Sequence, residues 1–317
     1  MNNNILFSDN FRAMGTDVSV DIVIEKSAVN AEKEAKKALG EVKNIFEKNE
    51  KTFSRFKNDS ELSKINKNLN REIRISEAMA EVLELCLKFY EESGGYFDPR
   101  VIGNLEQAGY DKDFRDSDLN STEEMDKNLE KPVGELGNDL AINKEEGIVL
   151  IKKRIDTTGI VKGYTVDKAA EYLKSKKFKN FIVDAGGDMY AEGLNDKQEQ
   201  WRVKVEGLEN DKIMLELSRE GIATSGISRK RWQRGSKKVH HLINPKDPEN
   251  FSHELKTVTV IKNKTVEADG RAKVLFLMGL QDGMKFANVN KIKALFLDYK
   301  GNVYLSETIK ENIILSS

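Results

Sequence analysis

Apolar and polar residues alternate along the chain from residue 11 to residue 25, with a β-branched run at 18–24. This period of two predicts a half-buried strand. Apolar residues then recur at helical spacing, which predicts helices over 28–51, 60–66 and 76–92. Each of the last two begins with a serine, whose hydroxyl accepts hydrogen bonds from the free backbone N–H groups of a helix start.

The rest of the chain mixes short strands with helices. The remaining predicted elements are strands around Ile142 and Val149, a helix over 161–176, strands at 181–183, 189–191, 201–205, 213–217 and 257–261, a helix over 266–278, a strand at 294–298 and a hairpin through 300–302. Strands this close in sequence favour antiparallel pairing. The mixture predicts an α+β fold with mainly antiparallel sheets and packed helices, rather than a regular βαβ alternation.

Residues 111–137 interrupt this pattern, because they are rich in Asp, Glu, Lys and Asn and poor in apolar side chains. Such a composition predicts an exposed insertion that takes no part in catalysis. The length of 317 residues suits either one large domain or two lobes that share a core.

Charge and cysteine content narrow the function classes. Lys and Arg number 52 and Asp and Glu 53, so the chain has no long-range attraction for nucleic acid or an anionic membrane. The single cysteine, Cys86, excludes an intramolecular disulfide, a zinc ribbon and an iron–sulfur cluster. Its apolar neighbours at helical spacing predict that it is buried.

No stretch reaches the apolar length of a membrane span, and the start of the chain lacks the basic and apolar regions of a secretory signal. A cytoplasmic location is therefore expected. The alternative is an extracytoplasmic, membrane-anchored protein whose leader was removed before the first residue of this numbering.

The stretch 155–164 combines an acid, two hydroxyls and a glycine just before a predicted helix. Such a junction offers an anion free N–H groups and the positive end of the helix dipole. The alternative is an ordinary helix start capped by Asp156 or a threonine. Gly163 favours a close ligand contact, because glycine inside a helix costs stability relative to alanine.

Two further stretches carry candidate chemistry. The stretch 184–188 has paired glycines between two predicted strands, which excludes a Rossmann motif and leaves a turn or a close ligand approach equally open. His240 and His241 are adjacent, so in a strand only one of them can face a given site. That one could act as a general base, and the other would be structural.

Asp269, near the start of the helix predicted over 266–278, can be interpreted either as a metal ligand or as half of an ion pair. Its carboxylate is the hard oxygen ligand that Mg²⁺ prefers. It also stands four residues before Lys273, so an ordinary surface ion pair is equally compatible with the spacing.

Eight short motifs follow one another between residues 14 and 269. They are Met14-Gly15-Thr16, Phe53-Ser54-Arg55-Phe56 with Ser60-Glu61-Leu62, Gly95-Tyr96-Phe97-Asp98-Pro99, the stretches 156–164 and 184–188, Ala223-Thr224-Ser225-Gly226, His241-Leu242-Ile243-Asn244-Pro245, and Ala268-Asp269. Each is weak alone, but chance does not readily produce all eight in order. In these motifs the chain resembles the ApbE family of FAD:protein FMN transferases.

The resemblance implies two lobes around a flavin groove, within a single domain over 5–310. It also implies FAD as substrate, Mg²⁺ on its pyrophosphate, and transfer of FMN to a threonine hydroxyl of an acceptor flavoprotein with release of AMP. The positions that match the family's FAD contacts are Met14, Phe56, Tyr96, Phe97, Asp98, Asp156, Lys162 and Ile243. The matching metal ligands are the carbonyls of Gly159 and Ala272 and the carboxylate of Asp269, and His241 matches the proposed base.

The chain departs from the family pattern at Lys273, where threonine is usual, and at Phe56, where tyrosine is more common. An ammonium near Mg²⁺ in a partly dry site repels it by several kcal/mol. Two alternatives to a transferase therefore stay open. One is a FAD pyrophosphatase, in which water takes the place of threonine, and the other is a non-catalytic FAD-binding module in which Lys273 takes the place of the metal.

Overall fold

The computed structural model describes residues 4–26, 30–112, 119–124, 129–208, 213–228 and 230–315. Its α-helices are α1 (Ala31–Phe53), α2 (Glu61–Lys67), α3 (Glu77–Glu92), α4 (Ile102–Gln107), α5 (Leu136–Asp139), α6 (Val161–Ser175) and α7 (Thr265–Val289). Its strands are β1 (Asn4–Ala13), β2 (Thr16–Glu25), β3 (Glu72–Arg74), β4 (Leu140–Asn143), β5 (Ile148–Ile151), β6 (Phe181–Ala185), β7 (Asp188–Glu192), β8 (Trp201–Lys204), β9 (Ile213–Leu217), β10 (Glu220–Gly226), β11 (Arg231–Arg234), β12 (Lys237–His240), β13 (Leu255–Lys262), β14 (Lys293–Asp298), β15 (Val303–Leu305) and β16 (Ile313–Leu315). Single turns of 3₁₀ helix lie at Pro99–Val101 and Ile309–Asn312.

An eight-stranded sheet in the order β1-β2-β6-β7-β10-β13-β14-β15 organises the described residues. Every neighbouring pair in it is antiparallel. Smaller antiparallel sheets are formed by β3-β5-β4, by β16-β9-β8 and by the hairpin β11-β12. The predicted α+β class with mainly antiparallel sheets is confirmed. We propose that 5–310 form one domain, because the main sheet draws strands from both ends of the chain.

Both faces of the main sheet are buried in its second half. On β14, Ala294 and Phe296 pack with α7, whereas Leu295 and Leu297 pack with β8 and β9. A strand covered on both faces needs apolar residues at every position, which explains the continuous run at 294–297. Helices α1 and α6 cover one face of the first half of the sheet.

A second core lies beside the sheet, where α2 and α3 pack against the small sheet β3-β5-β4. Both helices start as predicted, because Ser60 accepts a hydrogen bond from the Ser63 N–H and Ser76 accepts one from the Met79 N–H. Cys86 of α3 is fully buried in this core, as predicted.

The strand predicted over 11–25 is two strands, β1 and β2, joined by a two-residue turn. Met14 and Gly15 form that turn with φ values of 51° and 71°, the left-handed pair that a tight hairpin turn requires. The apolar alternation predicts the strand conformation correctly but does not reveal the reversal. The helix predicted over 266–278 ends where Gly279 leaves helical geometry at φ 78°, and a further helical stretch to Val289 was missed.

The predicted exposed insertion over 111–137 is only partly exposed, and residues 113–118 and 125–128 lie outside the described part. Leu119 and Leu129 are buried against Leu105 and Trp232. Leu136 is fully buried in the second core. The few apolar residues of this charged stretch therefore cover core surface that would otherwise meet water.

A buried carboxylate of α6 binds the first turn of α7. Asp167 of α6 accepts hydrogen bonds from the backbone N–H groups of Thr265, at 2.7 Å, and Val266, at 2.9 Å. These N–H groups have no partner within their own helix, because they belong to its first turn. Asp167 thus fixes the start of α7 against α6.

Replacing Asp167 with alanine is expected to lower the free energy of unfolding by about 2 kcal/mol, because two buried N–H groups lose their acceptor. Urea unfolding followed by circular dichroism measures this. Asp167→Asn retains one acceptor oxygen and should cost less than the alanine. The control is Asp282→Ala, which removes an exposed carboxylate from α7 and should change little. Equal effects of the two alanine substitutions would contradict the capping role.

Candidate active site

A cavity of about 490 Å³ lies where several loops meet the starts of α6 and α7. Its walls include the β1–β2 turn, the residues after α1, the loop over 96–99, the end of β10 and the residues after β12. Its volume falls in the range of about 300–1,000 Å³ that is typical of small-molecule sites.

The paired glycines of the stretch 184–188 form the turn between β6 and β7, with φ values of 67° at Gly186 and 100° at Gly187. A Cβ atom at Gly186 would lie 2.0 Å from Thr16 Oγ1. Glycine is therefore required so that this turn can pack on the β1–β2 turn. Both turns line the cavity, and the flanking antiparallel strands agree with the exclusion of a Rossmann motif.

The start of α6 has no side-chain cap, so the predicted capping by Asp156 or a threonine is wrong. Asp156 instead accepts hydrogen bonds from the N–H and Oγ1 of Thr158, both at 2.8 Å. The Gly163 N–H donates to Asp269 Oδ2 of α7 at 3.3 Å. The anion at this helix start is thus a side chain of the protein itself.

Gly163 makes a close contact, but with the protein rather than with a ligand. A Cβ atom there would lie 2.7 Å from the Thr265 carbonyl oxygen and 2.8 Å from Val266 Cα. The expectation of a ligand contact at Gly163 is therefore wrong. The glycine allows α6 and α7 to approach until Asp269 reaches the start of α6.

Two lysines of the cavity have different partners. Lys162 forms an ion pair with Asp188. Burial would lower the pKa of Lys162, but the carboxylates of Asp188 and Asp269 outweigh it and raise that pKa. Lys273 Nζ donates to the Gly159 carbonyl oxygen at 3.0 Å, and burial lowers the pKa of Lys273 although Asp269 opposes this.

Asp269 is 5% exposed and Lys273 half-buried, so the reading of these two residues as a surface ion pair is wrong. Both line the cavity. Burial raises the pKa of Asp269, and so does the charge of Asp188, while Lys162 and Lys273 act in the opposite direction. The bottom of the cavity therefore holds closely interacting charges of both signs.

The two adjacent histidines separate as predicted. His240 ends β12 and is buried, with its Nε2 at 3.1 Å from the Ser252 carbonyl oxygen. His241 follows the strand and lines the cavity, with its Nδ1 at 3.3 Å from the Lys230 carbonyl oxygen. A carbonyl can only accept, so this bond requires a proton on Nδ1 and leaves the lone pair on Nε2.

The charge state of His241 follows from its surroundings. Burial lowers its pKa well below 6.5, and the positive charges of Lys230 and Lys273 lower it further. The imidazole is therefore neutral at pH 7 and able to accept a proton.

Comparison with known proteins identifies the family of this chain. A sequence profile of the ApbE family matches residues 14–296, which is most of the chain. The chain belongs to the ApbE family. The match spans every motif on which the resemblance was based.

Individual ApbE relatives agree in length and fold. Proteins named FAD:protein FMN transferase from Haemophilus influenzae and Vibrio cholerae are each 26% identical to this chain. The alignment with the Haemophilus protein covers 94% of this chain and 88% of that protein. The alignment with the Vibrio protein covers 90% of this chain and 85% of that protein. The apo flavinyl transferase ApbE of Pseudomonas stutzeri superposes with a TM-score of 0.81 at 21% identity, over 98% of this chain and 99% of that one. The ApbE protein of Thermotoga maritima superposes with a TM-score of 0.81 at 24% identity, over 97% of this chain and 99% of that one.

The structure brings together nearly all the positions that the ApbE resemblance selects. The cavity is lined by Met14, Phe56, Tyr96, Phe97, Asp98, Asp156, Gly159, Lys162, His241, Ile243 and Asp269. Ala272 is the exception among the described residues, since it is fully buried and absent from the lining. It packs in the core between α7 and the sheet.

Asp98 lines the cavity but is already engaged. Its two carboxylate oxygens accept hydrogen bonds from the backbone and guanidinium N–H groups of Arg100. Arg100 in turn pairs with Asp139 at 2.7 Å. Asp98 therefore holds the loop over 96–99 in place, and its carboxylate has little capacity left for a ligand.

The ApbE resemblance misses a cluster around Arg55. Its guanidinium lies 4.3 Å from the ring centre of Phe56 and 4.6 Å from that of Tyr110, with its Nε 3.6 Å from Asp156 Oδ2. Cation–π contacts of this kind hold aromatic rings in fixed orientations. Arg55 belongs to the motif Phe53-Ser54-Arg55-Phe56, but neither apolar periodicity nor this motif indicates that Tyr110 packs on it.

Lys230 was also missed. Arg231 pairs with His240 across the β11–β12 hairpin, which brings Lys230 beside His241. A prediction of that hairpin around Gly235 would have revealed the contact. The pattern around His240 and His241 is compatible with a strand but does not require one, so no partner strand was predicted.

The residues present do not fit the Mg²⁺ ion that the ApbE resemblance implies. The Gly159 carbonyl already accepts a hydrogen bond from the Lys273 ammonium. A divalent ion about 4 Å from an ammonium would be repelled by roughly 8 kcal/mol at an effective dielectric constant of about 20.

In the part of the chain that the structure describes, no helix has the length and apolar character needed to span a bilayer.

Proposed function

We propose that this chain transfers the FMN half of FAD to a threonine hydroxyl of an acceptor flavoprotein and releases AMP. The names of its ApbE relatives support flavin transfer, and the threonine acceptor rests on the resemblance stated above. FAD would occupy the cavity, in contact with Met14, Phe56, Tyr96, Phe97, Asp156, Lys162 and Ile243 as the resemblance implies. The resemblance also implies a contact with Asp98, whose carboxylate stays paired with Arg100. The expected cytoplasmic location remains a prediction.

The observation that carries the proposal is the neutral imidazole of His241 in the same cavity as Lys162 and Lys273. In the proposed reaction the threonine Oγ attacks the phosphorus on the FMN side of the diphosphate. The P–O bond to the AMP phosphate breaks, and AMP leaves. His241 Nε2 accepts the hydroxyl proton, which makes the oxygen a better nucleophile.

The lysines supply the charge that a diphosphate needs. Phosphoryl transfer depends mainly on positioning and on neutralising charge that develops on the phosphate oxygens. Lys162 and Lys273 both line the cavity. Because the Mg²⁺ donor set does not fit, no step of the proposed reaction uses a metal.

The test incubates the purified chain with FAD and a flavoprotein that carries a threonine flavinylation site, followed by mass spectrometry of the acceptor. We expect an added FMN on the threonine and AMP in equal amount. Threonine-to-valine substitution in the acceptor should abolish the adduct. Free FMN formed without an acceptor would instead identify a FAD pyrophosphatase, and FAD binding without either product would identify a binding module.

A further inference from the structure

Lys273 lines the cavity and forms no ion pair in the described residues. Lys162 is paired with Asp188, whereas the contact of Lys273 is with a neutral carbonyl oxygen, that of Gly159. A half-buried ammonium with a neutral partner can gain further from an anion, since hydrogen bonds between charged groups are stronger than those to a carbonyl.

The position of this ammonium is built into the fold. A Cβ atom at Gly159 would lie 2.7 Å from Lys273 Nζ and 3.1 Å from the Phe97 ring. Residue 159 must therefore be glycine for the lysine to reach its carbonyl. The lysine itself stands one helical turn after Asp269, whose Oδ2 is held by the start of α6.

The same arrangement leaves little room for a dication. Of the three oxygens expected to hold Mg²⁺, one accepts from Lys273, one belongs to a carboxylate engaged with the Gly163 N–H, and the third belongs to Ala272, outside the cavity lining. The positive charge near the cavity floor is supplied by a side chain instead.

We propose that the Lys273 ammonium replaces the divalent cation, so that this chain binds the diphosphate of FAD without a metal. This inference rests on the proposed function, because it assumes that FAD occupies the cavity. It deepens that function by naming the group that recognises the diphosphate.

The test measures FAD affinity from flavin fluorescence, with excess EDTA and with excess Mg²⁺, for the wild type and for variants at Lys273. The wild-type dissociation constant should be the same within about twofold in the two conditions. Lys273→Met removes the charge at similar volume, and we expect FAD affinity to fall about tenfold or more in both conditions.

Lys273→Thr also removes the charge but adds an oxygen ligand and frees the Gly159 carbonyl. FAD affinity should fall in EDTA and recover with Mg²⁺. The matched control is Lys285→Thr, on the exposed side of the same helix, which should bind FAD like the wild type. Riboflavin, which has no diphosphate, should bind all variants with equal affinity in both conditions.

Two results would overturn the inference. One is a rise of about tenfold in the FAD affinity of the wild type on adding Mg²⁺, and the other is a Lys273→Met variant that binds FAD as tightly as the wild type. Absence of FAD binding to the wild type would overturn both this inference and the proposed function. Metal-independent FAD binding without any FMN adduct on the acceptor would contradict the proposed function alone.

Discussion

Replacing His241 with alanine is expected to slow FMN transfer by about 10²- to 10⁴-fold, because the attacking hydroxyl loses its general base. FAD affinity should change little, since the proposed role of the imidazole is to accept a proton from the acceptor. The measurement is single-turnover formation of the acceptor adduct with FAD saturating. FAD affinity from flavin fluorescence is determined in parallel, so that a loss of rate is separated from a loss of binding.

The control is His253→Gln, an exposed histidine outside the cavity lining, which should transfer FMN at the wild-type rate. In the wild type, the lowered pKa of His241 keeps the imidazole neutral down to about pH 6.5. The transfer rate should therefore be independent of pH between about pH 7 and 6.5 and should fall only at lower pH. A transfer rate retained in His241→Ala, or a decline that begins above pH 7, would remove His241 from this role.

Replacing Gly163 with alanine is expected to destabilise the protein by about 3 kcal/mol, because the new methyl group would overlap the backbone of Thr265 and Val266. A backbone obstacle cannot rotate away as a flexible side chain can. The displaced helix would also weaken the bond between the Gly163 N–H and Asp269. Urea unfolding measures the stability, and FAD affinity reports the effect on the cavity.

The matched control is Gly40→Ala, the same substitution inside α1. A Cβ atom at Gly40 meets nothing within 4 Å, so alanine there should stabilise by about 0.5–1 kcal/mol through its higher helix propensity. The two substitutions should therefore have opposite signs. If Gly163→Ala also stabilises, the two helices have room to separate and the close approach is not required.

The sequence predicts best those features that depend on neighbours in the chain. The serine-capped starts of α2 and α3 and the strand at 294–298 follow from local pattern and were predicted. The turn at Met14 and Gly15 was missed, because a reversal between two strands of the same alternation leaves the period unchanged.

Contacts between distant parts of the chain account for the remaining errors. Gly163 was read as a ligand contact because glycine in a helix is costly, yet the sequence does not say which surface comes close. Lys273 stands four residues after Asp269, and the spacing alone is equally compatible with an exposed ion pair. Only the packing of α6 against α7 shows that both residues face the cavity and that the lysine reaches Gly159.

The two helices that form the bottom of the cavity restrain one another from both sides: Asp167 of α6 holds the first turn of α7, and Asp269 of α7 accepts from the first turn of α6. Neither helix start can shift without breaking the hydrogen bonds of the other. The binding surface is therefore already ordered before a ligand arrives. A dinucleotide that binds there loses its own conformational freedom, but the protein loses little more because the two helix starts are already ordered. More of the contact energy therefore remains as affinity.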